Sequence, residues 1–186
     1  MNDADNVSFG KPKVNGAAFI APLGTTVPTT AWETLDAAFV GLGYVSEDGL
    51  VNGTESDTND VNAWGGDLVL SSHSTFKEMF TLNLLETNAE ALKLYYGEDN
   101  VDVEGDGSIT VRQTSAVLPH HVIVFDMVLT GGRIKRVVIA DGQIADRSGE
   151  ITYVDGEAIT YPVVLLAYPD ANGQTHVEYI ATALSS

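Results

Sequence analysis

Apolar and polar residues alternate with period two in several segments of this chain, the pattern of strands that bury one face. Residues 14–23, VNGAAFIAPL, read as a first strand ended by Pro22 and Gly24. Residues 29–43, TTAWETLDAAFVGLG, carry the helical spacing instead, with Trp32, Leu35 and Phe39 on one face, a Thr30-x-x-Glu33 capping box and Gly41 and Gly43 as a stop. A brief strand, YVSEDG, follows, and then the pattern fails. Residues 46–66 are polar, with Val61 and Trp64 as the first apolar anchors, and are expected to form a loop longer than ordinary connections.

Regularity returns with two expected strands, LVLSSHS and TFKEMFTLNLLE. In the second, Phe76, Glu78, Phe80, Leu82 and Leu84 share a side, an apolar face broken only by Glu78. Thr87-x-x-Glu90 predicts the start of a helix through NAEALKLYY, ended by Gly97, with Ala91, Leu92 and Tyr95 as its buried stripe. Beyond it, HHVIVFDMVLTGGRIKRVVIADGQIA reads as two strands joined at Gly131-Gly132. The stretch EITYVDGEAITYPVVLLAYPDANGQTHVEYIA reads as three more, divided at Asp155-Gly156 and at residues 170–173. Turn signals this regular predict a mainly β fold, a sandwich or barrel with one or two short accessory helices.

The stretch EDNVDVEGDGSITV tests whether chemistry is hidden in these turns. From Asp102 it follows the first half of an EF-hand loop, which makes Asp102, Glu104 and Asp106 the candidate metal ligands. Position 12 of that loop, however, is Gln113, where a bidentate Glu is required, and Val101, Val103, Ile109 and Val111 alternate as strands do. The pattern predicts a β-hairpin closed by Glu104-Gly105-Asp106-Gly107, with opportunistic cation binding as the lesser reading.

Charge changes the picture more than any motif. The 186 residues carry 26 acidic against 9 basic side chains, a net −17, and between Lys13 and Lys77 there is no Lys or Arg but eight acids. Such a surface repels nucleic-acid backbones and anionic membranes. It reads either as a solubility surface or as a face or cavity, built by several copies, that is kept negative. Zero cysteines leave no disulfide, thiol nucleophile or cysteine zinc site. The acidic start lacks the form of a signal peptide and no apolar run reaches membrane length, so the chain fits a cytosolic or virion particle, and the sequons at Asn6 and Asn52 read as coincidental.

A catalytic set does not emerge. His120 and His121 are adjacent in an expected strand and point to opposite faces, and His73 and His176 are isolated. No serine sits in a G-x-S-x-G elbow, the WGGD and TGGR segments lack the phosphate-binding patterns, and Glu47-Asp48 reads as a solvated turn. The chain is therefore expected not to be an enzyme and to need no cofactor. Arg133, Lys135 and Arg136 form the one basic cluster, and alternation puts Arg133 and Lys135 on one strand face with Ile134 on the other. That stripe suits either local pairing or docking on an acidic patch of another copy.

Taken in order, GKPKVNGAAFIAPLGTTVPT, LGYVSEDGL, AWGGD, LKLYYG, GGRIKRVVI and YPVVLLAYPDANGQTHVEYI make the chain resemble the major tail proteins of long-tailed bacteriophages, from about residue 10 to 180. The resemblance implies a tail-tube β-sandwich or barrel, residues 14–186, behind a flexible N-terminal arm, residues 1–13. It implies hexameric rings stacked into a virion tube assembled in the host cytoplasm, with the arm and the 46–66 loop touching neighbouring rings. Its partners would be further copies and other tail proteins such as the tape measure and tail terminator, while DNA passes an acidic wall without specific binding. On that view Trp64, Asp57, Asp60, Arg133 and Lys135 are the inter-subunit candidates. The competing readings are another β-sandwich virion module, for decoration or receptor binding, and, behind it, a calcium-dependent binding module.

Overall fold

The computed structural model describes residues 7–13, 16–147 and 149–182. Eleven strands and one α-helix follow in chain order: β1 Gly10–Pro12, β2 Ala18–Pro22, β3 Val40–Gly41, β4 Val51–Asn62, β5 Leu68–Leu84, α1 Ala89–Tyr96, β6 Val101–Val103, β7 Ile109–Val111, β8 His120–Leu129, β9 Ile134–Asp146, β10 Tyr161–Ala167 and β11 Val177–Ala181. Nine strands form one antiparallel sheet in the order β3-β2-β8-β9-β10-β5-β4, with β1 added on β8 and β11 on β9, while β6 and β7 pair alone.

The sheet becomes a sandwich because β9 is long enough to serve two layers. Its first half pairs with β11 over Ile134 to Val138, and its second half pairs with β10 over Gly142 to Asp146. The corner falls at Gly142, where a Cβ would come 2.7 Å from the Ile123 side chain, so only glycine fits without repacking. Across the fold, Phe80 of β5 stacks on Phe125 of β8 with ring centroids 6.1 Å apart. Around that pair Leu82, Leu84, Ile123, Val137, Ile139, Val163 and Leu165 are buried together. β10 shows the cause most plainly, since YPVVLLA alternates buried and half-buried along its whole length.

The helix α1 caps one end of this core with Ala91, Leu92, Leu94 and Tyr95. Its N-cap is Asn88, one residue later than the expected Thr87, and the Asn88 side chain accepts from the Ala91 N–H at 2.8 Å. Gly97 ends it as expected, at φ 99° and ψ 143°, a positive-φ conformation that glycine adopts without steric cost. The 101–111 segment is a hairpin, with the Gly107 N–H donating to the Glu104 carbonyl across its tip.

Five expectations fail. The YVSEDG stretch, residues 44–49, is no strand but an isolated bridge from Val45 to Leu84, because the Gly49 N–H turns back to the Ser46 carbonyl at 2.9 Å. Residues 29–39 form turns and no helix. The capping contacts exist, Thr29 N–H to Glu33 at 2.6 Å and Glu33 N–H to Thr30 Oγ1 at 3.1 Å. The Arg136 guanidinium, however, takes the Thr30 and Glu33 carbonyls at 3.2 and 2.7 Å, acceptors that a helix needs for its own N–H groups. The expected loop at 46–66 contains β4, a strand of 12 residues without a buried face. The two strands expected at 68–86 are one, β5, of 17 residues. Residues 151–154 are not a strand, so two strands rather than three follow β9, because this stretch has no partner in the sheet. Of the N-terminal arm, Gly10–Pro12 is tied down as β1, and residues 1–6 lie outside the described residues.

Candidate functional site

The feature that the core does not explain is a projecting hairpin. β4 and the first part of β5 pair from Val51↔Thr81 to Asn62↔Leu68, yet nearly every residue from Asn52 to Lys77 is exposed. A two-stranded ribbon is marginal by itself. Here it is anchored at its foot, where β5 enters the core at Glu78. The tip is a turn in which the Gly66 N–H donates to the Ala63 carbonyl, and Trp64 stands on it fully in solvent, at 105% relative exposure. Val61, Leu68, Val69, Leu70 and Phe76 are also exposed along this arm. Register shifts opposite Asp57/Thr58 and Val61/Asn62 leave Ser74 and Val69 of β5 without a partner, two bulges that add twist to the ribbon. Of the candidate contact residues, Trp64, Asp57 and Asp60 thus come together on one element, and Asp57 accepts from the Thr75 hydroxyl across the ribbon at 3.0 Å.

The foot of the arm is fastened by Glu78, 3% exposed, the residue that interrupts the apolar face of β5. Asn52 Nδ2 of β4 donates to it at 2.8 Å, His176 Nδ1 lies 2.9 Å away, and the Thr175 hydroxyl donates to the same oxygen. His176 also lies edge-on to Phe80 and 3.9 Å from Glu178, which Lys135 bridges at 2.6 Å. His176 is therefore not the isolated residue the sequence suggests. Burial pushes the Glu78 carboxyl up, but hydrogen bonds from Thr175, Asn52 and His176, together with the His176 charge, outweigh burial and hold it below its ordinary value of 4.5. A carboxyl lowered in this way stabilises the fold fully above pH 4.5 and loses that contribution as pH falls through the lowered folded value. Glu78→Gln is expected to cost about 1–3 kcal/mol near neutral pH. Urea melts from pH 7 to pH 3 check this. The gap between wild type and variant stays level above about pH 5 and narrows below pH 4.5. A gap that widens on acidification contradicts the assignment.

The basic candidates lie elsewhere. Arg133 precedes β9 and donates to Ser8 Oγ, and Lys135 is engaged by Glu178, with Ile134 between them buried as alternation requires. Arg136 is not a surface residue. It grips Asp126 with two hydrogen bonds at 2.6 and 2.8 Å, both side chains being 3% exposed. The clamp holds the 29–39 segment against the sheet.

The candidate metal ligands do not converge. Asp102 is bridged by Arg112 at 2.5 Å, and Asp106 accepts from the backbone and hydroxyl of Ser108, bonds that hold its carboxyl below the ordinary value and define a turn. No group of three or more His, Asp or Glu placed to hold a metal occurs among the described residues. His120 and His121 part as expected. His120 meets Asp141 at 2.5 Å and packs on Tyr168, whereas His121 has a buried Nδ1 without a partner and burial lowers its pKa. Among the described residues no helix is long and apolar enough to cross a membrane.

A family model described as phage tail tube protein matches residues 12–186. No curated protein matches the chain.

Proposed function

The chain belongs to the phage tail tube protein family, and from that premise we propose that its copies join edge to edge into hexameric rings that stack into the tail tube, an acidic conduit through which DNA is ejected. The family is structural, and it places the chain in the virion tail. The observation that carries the finer reading is the arm: a 12-residue strand with no buried face has little reason to be ordered unless a neighbour covers it. Strand edges are a liability in a monomer and an interface in an assembly. Here β4 and β3 end the sheet path and β11 pairs only with β9, so each has one side unpaired among the described residues.

The charge supports the conduit. At −17 per copy, walls built from this chain offer DNA phosphates few cations with which to replace their counterions. DNA slides along such a wall without sticking. Other tail proteins, such as the tape measure and tail terminator, are the expected neighbours, and assembly takes place in the host cytoplasm. Electron microscopy of the purified protein at high concentration tests the reading, with rings or tubes expected. Because like-charged copies repel, rings are expected to form more readily at about 0.5 M than at about 0.05 M salt, where screening is weaker and the repulsion reaches farther. A strictly monomeric species under all these conditions overturns the proposal.

A further inference from the structure

Beside the foot of the arm lies an apolar cavity of about 260 Å³. Lys11 and Pro12 of β1 line one side, Glu47 and Leu50 of the connection before β4 line another, and Phe125 and Met127 of β8 complete it. Pockets that hold drug-sized ligands run from roughly 300 to 1,000 Å³, so this one is sized for a side chain.

Resting on the tube-subunit reading above, we propose that this cavity receives the Trp64 indole from the arm of a second copy of the chain. Trp64 is the most exposed of the large apolar side chains among the described residues and stands at the tip of a paired ribbon, and a large aromatic anchor seated in a pocket is the usual form of an interface hot spot. Its own cavity is out of reach. Glu47 and Leu50 directly precede Val51, where the arm begins, and the tip lies beyond a 12-residue strand, roughly 40 Å of extended chain. The occupant is therefore another molecule.

Charge agrees with this. The arm carries Glu55, Asp57, Asp60 and Asp67 and no Lys or Arg before Lys77. Lys11 lies on the cavity wall, where Glu47 is the single acid among the lining residues, whereas Lys13 and Lys135 nearby are already paired with Asp126 and Glu178 of their own chain. Because tip and cavity occupy different places on each copy, the contact is head to tail and leaves a tip and a cavity open for the next copy. It is an axial contact that propagates.

The absence of cysteine gives a clean test. Chains with Ala63→Cys are mixed with chains with Glu47→Cys, Trp64 being kept in both, and oxidised under tube-forming conditions. The mixed disulfide is expected at least tenfold above either like pair on non-reducing gels. In a Trp32→Phe chain, Trp64 is the sole tryptophan and its emission is expected to shift to the blue on assembly. Tubes that form with unshifted Trp64 emission, or with the three disulfides in statistical proportion, overturn the docking and leave the tube reading standing. Failure of the wild-type chain to form rings or tubes at all removes both.

Discussion

Asp126→Ala is expected to destabilise the subunit by roughly 3–5 kcal/mol, because it strands the Arg136 guanidinium in a site where both side chains are 3% exposed. Asp126 and Arg136 are directly opposed on β8 and β9, and the carboxylate takes two hydrogen bonds from the guanidinium, with Lys13 3.4 Å from its second oxygen. The remaining guanidinium nitrogen of Arg136 donates to the Thr30 and Glu33 carbonyls. Loss of the carboxylate thus leaves a buried charge unpaired and loosens the clamp on the 29–39 segment. A urea midpoint lowered at unchanged slope, and a thermal midpoint lower by about 10 °C, check this. The double change Asp126→Ala with Arg136→Leu is expected to recover a large part of the loss, since an apolar pair carries no desolvation penalty. A double variant as unstable as the single one places the cost elsewhere.

Removal of the arm is expected to do the reverse, leaving the fold and abolishing the assembly. Excision of residues 56–76, with Asn-Gly joining Glu55 to Lys77, keeps Glu78 and its partners, and the pair Glu55↔Lys77 already faces across the ribbon. The removed residues are all exposed, so the loss of stability is expected to stay below about 1 kcal/mol. Stacked tubes are expected to vanish from micrographs at concentrations where wild type assembles. Tubes of unchanged length would remove the arm from any axial role. A variant that unfolds would instead make the arm part of the subunit's own stability, contrary to its exposure.

How much of this was legible in the sequence depends on what each pattern responds to. Alternation arises where a strand buries one face, and so β10 and the core half of β5 could be read directly, as could α1, whereas β8 buries five residues in a row and shows as a continuous apolar run instead. β4 buries neither face, so its residues are free to be polar throughout, and polarity without alternation reads as loop. The capping box at Thr30 was real as chemistry and misleading as structure. Its contacts form, but an arginine over a hundred residues away claims the carbonyls, and no local signal carries that.

Glu78 shows the limit from the other side. As a lone acid in an apolar row it was visibly anomalous, but Thr175 and His176, almost a hundred residues along the chain, are brought to it only by the fold. Among the contact candidates, Trp64, Asp57 and Asp60 fall together on the arm, whereas Arg133 and Lys135 meet Ser8 and Glu178 of their own chain. Sequence alternation placed those two on the right face without showing the partners waiting there.

The interval without Lys or Arg has a consequence for how long a free subunit lasts. An exposed ribbon is where proteases nick a folded chain first. Yet proteases that require Lys or Arg at the cut site find no such residue from Val14 through Phe76. The same stretch offers Trp64 and Phe76, both exposed, to enzymes that favour aromatic residues. Within the arm, trypsin-like enzymes should therefore cut unassembled subunits at the foot, after Lys77, while chymotrypsin-like enzymes cut at the tip, so the lack of Lys and Arg along the arm also decides where each enzyme can disarm it.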